Sequence, residues 1–278
     1  MATRLRIGHA GQMATQVGQR PVGELLRQWR ERRRLSQLEL ALQAEVSTRH
    51  LSFVETGRAA PSRAMVLHLA EQLELPLRER NQLLLAAGYA PIYSESALAA
   101  DAMAAVRAAL RAVLAGHEPY PALVVDATWT LVDANASVAR LTAGAAPALL
   151  EPPVNVLRLS LHPDGLAPRI SNLGEWRAHI LGRLRHQVDR TADERLVRLY
   201  DELKAYPCAD AQPEVELPGP GMVAVPLRLR LDADELALLS TTTTFGTPRD
   251  VTVAELAIES FFPADAHTAA ALRASAGG

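Results

Sequence analysis

The sequence predicts two domains, an all-α bundle of five short helices followed by an α+β domain with an antiparallel sheet. Three observations support this fold class. The chain has 278 residues, of which 49% are hydrophobic, and this is enough for two cores of ordinary size. Residues 22–88 combine helical periodicity with frequent capping and stop signals. Strand-like runs begin at residue 122 and return after residue 222.

The second and third predicted helices have the clearest boundary signals. Ser36 is a suitable N-cap, and Glu39 three residues later completes a capping box. Ser47 is placed to cap the third helix, and Gly57 is placed to end it in the left-handed conformation that glycine adopts without strain. We therefore expect two short helices joined by a tight turn at 45–47.

The same kinds of helix-start and helix-stop residues predict the other N-terminal elements. The first helix covers about 22–34, and the fourth and fifth begin at Pro61 and Pro76. These five helices define a predicted domain over 20–92. Residues 1–19 are polar and lack periodicity, so we interpret them as a flexible arm.

Residues 93–278 are predicted to form the second domain. Its strand-like runs are 122–125, 129–132, 223–231, 236–245 and 253–262. Its helical patterns are 97–115, 135–141, 154–161, 174–189, 193–205 and 264–275. We interpret 232–234 as a hairpin turn, 144–152 as a loop and 207–221 as a Pro/Gly-rich connection.

The two predicted domains differ in charge, although the net charge of the chain is only −2. Residues 1–63 contain 11 arginines and 5 glutamates, whereas residues 93–278 contain 16 basic and 23 acidic residues. This asymmetry predicts that the basic N-terminal domain faces DNA and that the C-terminal domain is acidic. Arginine supplies 28 of the 29 basic residues, which is typical of a high-GC genome and makes each single arginine less informative.

Several classes of protein are excluded by what the sequence lacks. No run of about 18 uncharged apolar residues is present, and the N-terminus has no apolar segment typical of a signal peptide. We therefore expect a cytoplasmic protein with no membrane partner. The single cysteine, Cys208, cannot form an internal disulfide or a cysteine-based metal cluster.

Enzymatic function is not expected either. The sequence has no Gly-x-Ser-x-Gly motif, no P-loop and no dinucleotide-binding fingerprint. His179, His186 and Asp189 lie on one predicted helix, but no further ligand is spaced to complete a metal site. We predict that the protein is not an enzyme and has no cofactor and no metal site.

The segment 36–55 carries the strongest functional signal. The small side chain of Ala41 allows its two helices to pack closely, and the apolar residues of the third helix pin it against the second. Four side chains then point outward from the capped N-terminus of the third helix, namely Thr48, Arg49, Ser52 and Phe53. A recognition helix needs such side chains, because they reach base edges in the major groove.

This segment resembles the helix-turn-helix of the Xre/Cro-repressor family, and the resemblance implies a role for each matching position. The implied base-reading residues are Thr48, Arg49 and Ser52. The implied phosphate-contacting residues are Gln37, Ser47, Arg58 and Arg63. Phe53 departs from the family, in which a polar residue is common there, and its ring would contact a thymine methyl group or pack. Arg30 and Glu55 match a structural salt bridge.

Longer motifs make the chain similar to MmyB-like regulators over about 20–275. They are Arg49–Arg58 (RHLSFVETGR), Pro61–Met65 (PSRAM), Leu77–Pro91 (LRERNQLLLAAGYAP), His117–Pro121 (HEPYP), Leu161–Gly165 (LHPDG) and Ile258–Pro263 (IESFFP). The resemblance implies an Xre-type domain and a C-terminal PAS-like domain that binds a small apolar ligand, with a fatty acid or related acyl compound as the suggestion. The predicted strand, turn and helix up to residue 141 also look like the opening of a PAS domain.

The second predicted domain also contains candidates for ligand contact. The candidates are Trp129, His162, Arg169, Asn172, Trp176, Arg177, Thr241, Thr243 and Phe245. Arg169 is the candidate that would contact a carboxylate. The resulting hypothesis is a ligand-responsive regulator that binds two DNA half-sites as a homodimer. The alternative is a DNA-binding regulator whose C-terminal domain serves only dimerisation or protein interaction, since a PAS-like fold supports either role.

Overall fold

The computed structural model describes residues 20–210, 224–231 and 234–274. Its contacts divide the chain into two units. The N-terminal unit extends to Leu75 and includes Glu79–Ile92, and the C-terminal unit contains Pro76–Arg78 and the chain from Tyr93 onward. The arm predicted at 1–19 and most of the predicted 207–221 connection lie outside the described residues.

The N-terminal bundle forms as predicted. Its helices are α1 (Val22–Arg32), α2 (Gln37–Gln43), α3 (Thr48–Glu55), α4 (Arg63–Gln72) and α5 (Leu77–Ala86). Ser36 and Glu39 form the capping box of α2, and Ser47 caps α3. Gly57 has a φ of 72°, which confirms the left-handed end predicted for α3.

Buried leucines and valines hold the five helices together. The fully buried members of this core include Leu26, Leu40, Leu51, Leu69, Leu73, Leu83 and Leu84. Helix α1 approaches α3 very closely at Gly23, where an added Cβ would overlap the carbonyl oxygen of Val54 and lie 2.7 Å from that of Glu55. Only glycine fits this crossing, so Gly23 determines how closely α1 supports α3.

The C-terminal unit contains an antiparallel sheet of five strands within the described residues. They are β1 (Ala122–Val125), β2 (Leu131–Ala134), β3 (Leu227–Leu231), β4 (Asp234–Thr244) and β5 (Ala257–Pro263). Their order is β2-β1-β5-β4-β3. Leu231 pairs with Asp234 across the predicted hairpin turn, of which Asp232 and Ala233 lie outside the described residues.

Helices cover both faces of this sheet. The helices of the unit are α6 (Ala104–Gly116), α7 (Ser137–Thr142), α8 (Pro147–Leu150), α9 (Val156–Leu161), α10 (Leu173–Thr191), α11 (Glu194–Ala205), α12 (Val251–Ala254) and α13 (Ala266–Ala274). On one face, Leu110 and Leu114 of α6 pack against Val124 and Ile258. On the other face, a larger aliphatic core joins the sheet to α7, α9, α10 and α11. This α+β, PAS-like architecture confirms the predicted fold class.

Several predicted elements have different boundaries. Trp129 lies in a turn rather than a strand, with a φ of 65°, because the Asp126 carboxylate accepts hydrogen bonds from the backbone amides of Thr128 and Thr130. Strand β2 therefore begins only at Leu131. Phe245 lies just beyond the end of β4 rather than on a strand.

Three other element boundaries also differ, and local side-chain hydrogen bonds account for two of them. Residues 253 and 254, predicted as the start of the last strand, belong to the short helix α12, because the Asp250 carboxylate caps its first turn. The predicted helix over 97–115 begins only at Ala104, since Arg107 donates hydrogen bonds to the carbonyls of Leu98 and Ala100 and holds a turn there. Part of the predicted loop 144–152 is helical, as α8.

Candidate functional site

Helices α2 and α3 form a tightly joined pair. The amide of Val46 donates to the carbonyl of Ala41 at 2.9 Å, and Glu45 adopts a left-handed φ of 51° in the turn. The Ser47 hydroxyl accepts a hydrogen bond from the His50 amide at 3.1 Å, which satisfies one of the free amides at the start of α3. The N-terminus of α3 is therefore held in a defined position.

A buried ion pair fixes the other end of α3. The Arg30 guanidinium donates to both carboxylate oxygens of Glu55, at 2.6 and 2.9 Å, and to the carbonyl of Leu35 at 2.8 Å. This confirms the structural salt bridge expected between Arg30 and Glu55. The Gln37 amide also donates to Glu55 at 2.7 Å, so a residue predicted to bind phosphate helps to join α2 to α3.

The other predicted DNA-contacting residues surround the start and the end of α3. Ser47, Arg49, Arg58 and Arg63 are exposed, whereas Thr48, Ser52 and Phe53 are half-buried. The exposed arginines give this surface a positive charge that suits a phosphate backbone. With Gln37, seven of the eight predicted residues lie on α2 or α3 or directly beside α3 in the chain, whereas Arg63 is the first residue of α4.

Phe53 interacts with two of these arginines. The guanidinium carbons of Arg49 and Arg58 lie 5.3 and 5.9 Å from the centre of its ring. The carbonyl of Phe53 also accepts hydrogen bonds from the amides of Arg58 and Ala59, so the chain after Gly57 folds back over it. We call the side chains of Phe53, Arg49 and Arg58 the Phe53 bracket. Such cation–π contacts restrict the orientation of both arginines.

We expect the substitution Phe53→Leu to weaken DNA binding by several-fold. Leucine keeps apolar bulk but removes the ring face, and each exposed cation–π contact contributes about 0.5–1 kcal/mol. Fluorescence anisotropy with a duplex selected from a random pool measures the effect. Phe53→Tyr keeps the ring and serves as the control. Equal affinity of the leucine variant and the wild type would contradict a role of the bracket in binding.

The predicted ligand-contacting residues of the C-terminal unit divide between the two faces of the sheet. Trp129 and Trp176 belong to the larger core beneath α10. Thr241 and Thr243 pair with Ser260 and Ile258, and Ile258 belongs to the opposite face, which packs on α6. Phe245 also packs against that second cluster. A pocket beneath α10 that is lined by Trp129 and Trp176 therefore does not include Thr241, Thr243 or Phe245.

His162, Arg169, Asn172 and Trp176 make internal hydrogen bonds. His162 accepts one from the Asp164 amide, and Arg169 donates to the carbonyl of Leu141 at 3.1 Å. Asn172 joins the start of α10 to β3 through the carbonyl of Pro226 and the amide of Arg228. The Trp176 indole donates to the Ser160 hydroxyl at 3.0 Å. Each bond stabilises the fold around the core.

A polar cluster around Trp129 was not identified from the sequence. Arg183 of α10 donates to Glu259 at 3.0 Å and to Thr242 at 2.8 Å, and its guanidinium lies 4.9 Å from the Trp129 ring centre. The Trp129 indole donates to Gln187 at 2.7 Å. Two signals for this cluster were available in the sequence. Arg183 and Gln187 are spaced to lie on one face of α10. The apolar run of β5 contains a single charge.

His179 lies next to this cluster and is uncharged at neutral pH. Its ring lies against that of Trp176, tilted by 34°, with 5.5 Å between ring centres. Burial, together with the positive charge of Arg183, lowers the pKa of His179 to about 4. Within the described part of the chain, no three His, Cys, Asp or Glu side chains are grouped as metal ligands would be.

The fold and the α2–α3 surface define a DNA-binding protein of the helix-turn-helix class. Residues 21–83 match the family described as "Helix-turn-helix domain". Residues 106–274, more than half of the chain, match the family described as "MmyB-like transcription regulator ligand binding domain". The chain therefore belongs to the MmyB-like transcription regulators, as the sequence motifs indicated. It is a DNA-binding transcription regulator with a ligand-binding domain, and both families are regulatory.

No curated protein matches the chain. Across 20–210, 224–231 and 234–274, none of the helices has the length and apolar character needed to cross a membrane.

Proposed function

We propose that this protein is a sequence-specific, cytoplasmic transcription regulator that binds two DNA half-sites as a homodimer and responds to a small apolar ligand of the fatty-acid or acyl type. The observation that carries the DNA-binding part is the fixed, capped N-terminus of α3 with exposed arginines around it. Helix-turn-helix dimers read half-sites about one helical turn apart. A ligand alters this activity only if it binds one state of the protein more tightly than another.

The residues proposed to read bases are Thr48, Arg49 and Ser52, since they lie in the first turns of α3. Gln37, Ser47, Arg58 and Arg63 are proposed to contact phosphates, and Phe53 to support Arg49 and Arg58. Arginine can donate two hydrogen bonds to guanine, which makes Arg49 the residue with the largest proposed effect on specificity.

We expect Arg49→Ala to relax base preference at one position of the half-site. The loss of a bidentate contact with guanine costs about 1–3 kcal/mol of discrimination. Selection of binding sequences from a random duplex pool measures the preference of each variant. Arg27→Ala, on the exposed side of α1, should leave the preference unchanged. Equal weakening on all sequences would instead identify Arg49 as a phosphate contact.

The composition of the C-terminal core supports an acyl ligand. The larger core consists mainly of leucine, isoleucine and valine side chains, which suit a flexible hydrocarbon chain. The candidates for ligand contact remain Trp129, His162, Arg169, Asn172, Trp176, Arg177, Thr241, Thr243 and Phe245. These candidates lie on both faces of the sheet. The candidates beneath α10 are favoured as ligand contacts, because the core on that face is the larger of the two.

Extraction of the purified protein tests the ligand directly. The protein is denatured, extracted with organic solvent and analysed by mass spectrometry, and an acyl compound in stoichiometric amount would support the proposal. Addition of that compound should then change DNA binding in an anisotropy assay. Binding of no acyl compound, together with ligand-independent DNA binding, would favour the alternative of a dimerisation or interaction domain.

A further inference from the structure

Strand β4 has an open edge over about half of its length. It contains 11 residues, of which 234–238 pair with β3. The following residues, 239–244, pair with β5 on one side. On their other side, no strand of the described chain pairs with them. We call the residues 239–244 the β4 edge.

The backbone groups that face this open side follow from the ladder. The carbonyl of Ala237 accepts a hydrogen bond from the amide of Ala264, just after β5, at 2.8 Å. Successive residues of an antiparallel strand direct their amides and carbonyls to alternate sides, and the register of β4 with β5 is regular. Residues 239, 241 and 243 therefore bond to β5. The amides and carbonyls of Thr242 and Thr244 point to the open side.

The two outer strands of the sheet are covered in the described part of the chain. At β2, the amide of Leu131 donates to the carbonyl of Val154 at 2.7 Å. At β3, the amide of Ser171 donates to the carbonyl of Arg228 at 2.9 Å, and the exposed side chain of Arg228 adds a charge. Coverage and charge are two ways in which proteins prevent a strand edge from pairing with another chain. The β4 edge is therefore the exception in this sheet.

The β4 edge lacks the features that block such pairing. Its sequence, Leu239–Thr244 (LSTTTT), contains no charge and no proline. The four threonines, 241–244, are exposed, and their β-branched side chains suit an extended strand. Unpaired amides and carbonyls along an edge of this kind are a template for the addition of a strand.

A second copy of the chain fits this edge. Residues 93–278 contain 16 basic and 23 acidic residues, so two copies repel each other over much of this surface. The β4 edge has no charge of its own, and Glu259, opposite Thr242 in the ladder, is neutralised by Arg183 at 3.0 Å. Around a two-fold axis, threonines would lie opposite threonines, and such cross-strand pairs are favourable.

We propose that two copies of the chain join their β4 edges as antiparallel strands, an inference that rests on the homodimer of the proposed function and gives it an interface. In the register centred on Thr243, Thr242 exchanges two hydrogen bonds with the partner's Thr244, and Thr244 does so with the partner's Thr242. This register keeps the partner strand away from residue 238, where the pairing of β4 with β3 ends. The two five-stranded sheets then form one continuous sheet.

The substitution Thr244→Pro tests the backbone contact in the full chain. Proline removes the outward amide of Thr244, whereas the ladder with β5 uses the neighbouring residues. The two-fold symmetry doubles the loss to two hydrogen bonds, so we expect the dissociation constant of the dimer to rise at least about tenfold. Sedimentation equilibrium measures this constant. Thr244→Ala keeps the amide and is the matched control, which should dimerise like the wild type.

A cysteine at the two-fold axis tests the register. In a Cys208→Ser background, Thr243→Cys would place two cysteines opposite each other in a non-hydrogen-bonded pair, with about 4.5 Å between their Cα atoms, which a disulfide can bridge. We expect a cross-linked dimer to form rapidly under mild oxidation with copper phenanthroline. Glu235→Cys is the control, because this residue is exposed on the same strand but lies where β3 already pairs.

The results separate this interface from the homodimer itself. If Thr244→Pro dimerises like the wild type, or if Thr243→Cys cross-links no faster than Glu235→Cys, the β4 edge is not the interface, although the homodimer stands. If the wild type is monomeric, the homodimer of the proposed function fails as well, and protection of the Thr244 amide from hydrogen exchange would then show that the same chain covers the edge. Circular dichroism checks that Thr244→Pro is folded. If it is not, the cross-linking comparison alone decides the inference.

Discussion

Replacement of Glu55 by alanine is expected to destabilise the N-terminal unit by about 3–5 kcal/mol, which is the usual cost of removing one partner of a buried ion pair. The substitution would leave the guanidinium of Arg30, whose side chain is 8% exposed, with only the exposed Glu31 carboxylate, 3.8 Å away, as a counter-charge. It would also remove the acceptor of the Gln37 amide. Hydrogen exchange of the α1 and α3 amides, followed by mass spectrometry, measures the loss within this unit.

Glu31→Ala is the matched control for this prediction. Glu31 pairs with Arg27 of α1 at 2.8 Å, but these two side chains are 51% and 62% exposed, and its contact with Arg30 is longer, at 3.8 Å. Surface pairs of this kind contribute little to stability. Similar hydrogen exchange in the Glu55 and Glu31 variants would contradict the importance assigned to the buried pair.

The second large effect is expected for Gly23→Ala. The new Cβ would overlap the carbonyl oxygen of Val54, and backbone atoms cannot move aside as the end of a flexible side chain can. We expect a cost of about 3 kcal/mol or more, because α1 must shift away from α3 and loosen the core. DNA affinity should fall with stability, since α1 also carries Arg30. Both are measured, by hydrogen exchange and by anisotropy.

Gly182→Ala provides the opposite case. A Cβ at this position of α10 meets no atom within 4 Å, and its backbone is not left-handed. Alanine in the interior of a helix is more favourable than glycine by about 0.5–1 kcal/mol. We expect a small gain in stability of the C-terminal unit and unchanged DNA binding. A comparable loss in both glycine variants would show that the close α1–α3 contact is not the cause.

The sequence predicted best those features that depend on near neighbours. The capping box of Ser36 and Glu39 and the left-handed Gly57 each involve only a few adjacent residues, so the pattern contains the whole cause. The position of Trp129 was missed for a related reason. Its left-handed backbone depends on the Asp126 carboxylate, which competes with strand pairing for nearby amides.

The ligand site depended on contacts that a linear pattern does not contain. Arg183 meets Glu259 across 76 residues of sequence, and the face of the sheet that holds Thr241 is determined by its pairing with Ser260. A shift of one residue in that register would move every side chain of β4 to the other face. Sequence spacing could therefore nominate candidates on several elements but could not assign them to a common surface.

The central position of β5 has a consequence for the order in which the protein is made. Strand β1 pairs with β5, residue 122 opposite residue 260, whereas the helices of the N-terminal bundle contact each other within 20–92. At about 5–20 residues per second, translation requires on the order of ten seconds to proceed from α5 to β5. The DNA-binding unit can therefore complete its fold on the ribosome well before the sheet of the ligand-binding unit can close, so each new molecule has a folded helix-turn-helix before it has a folded ligand-binding domain.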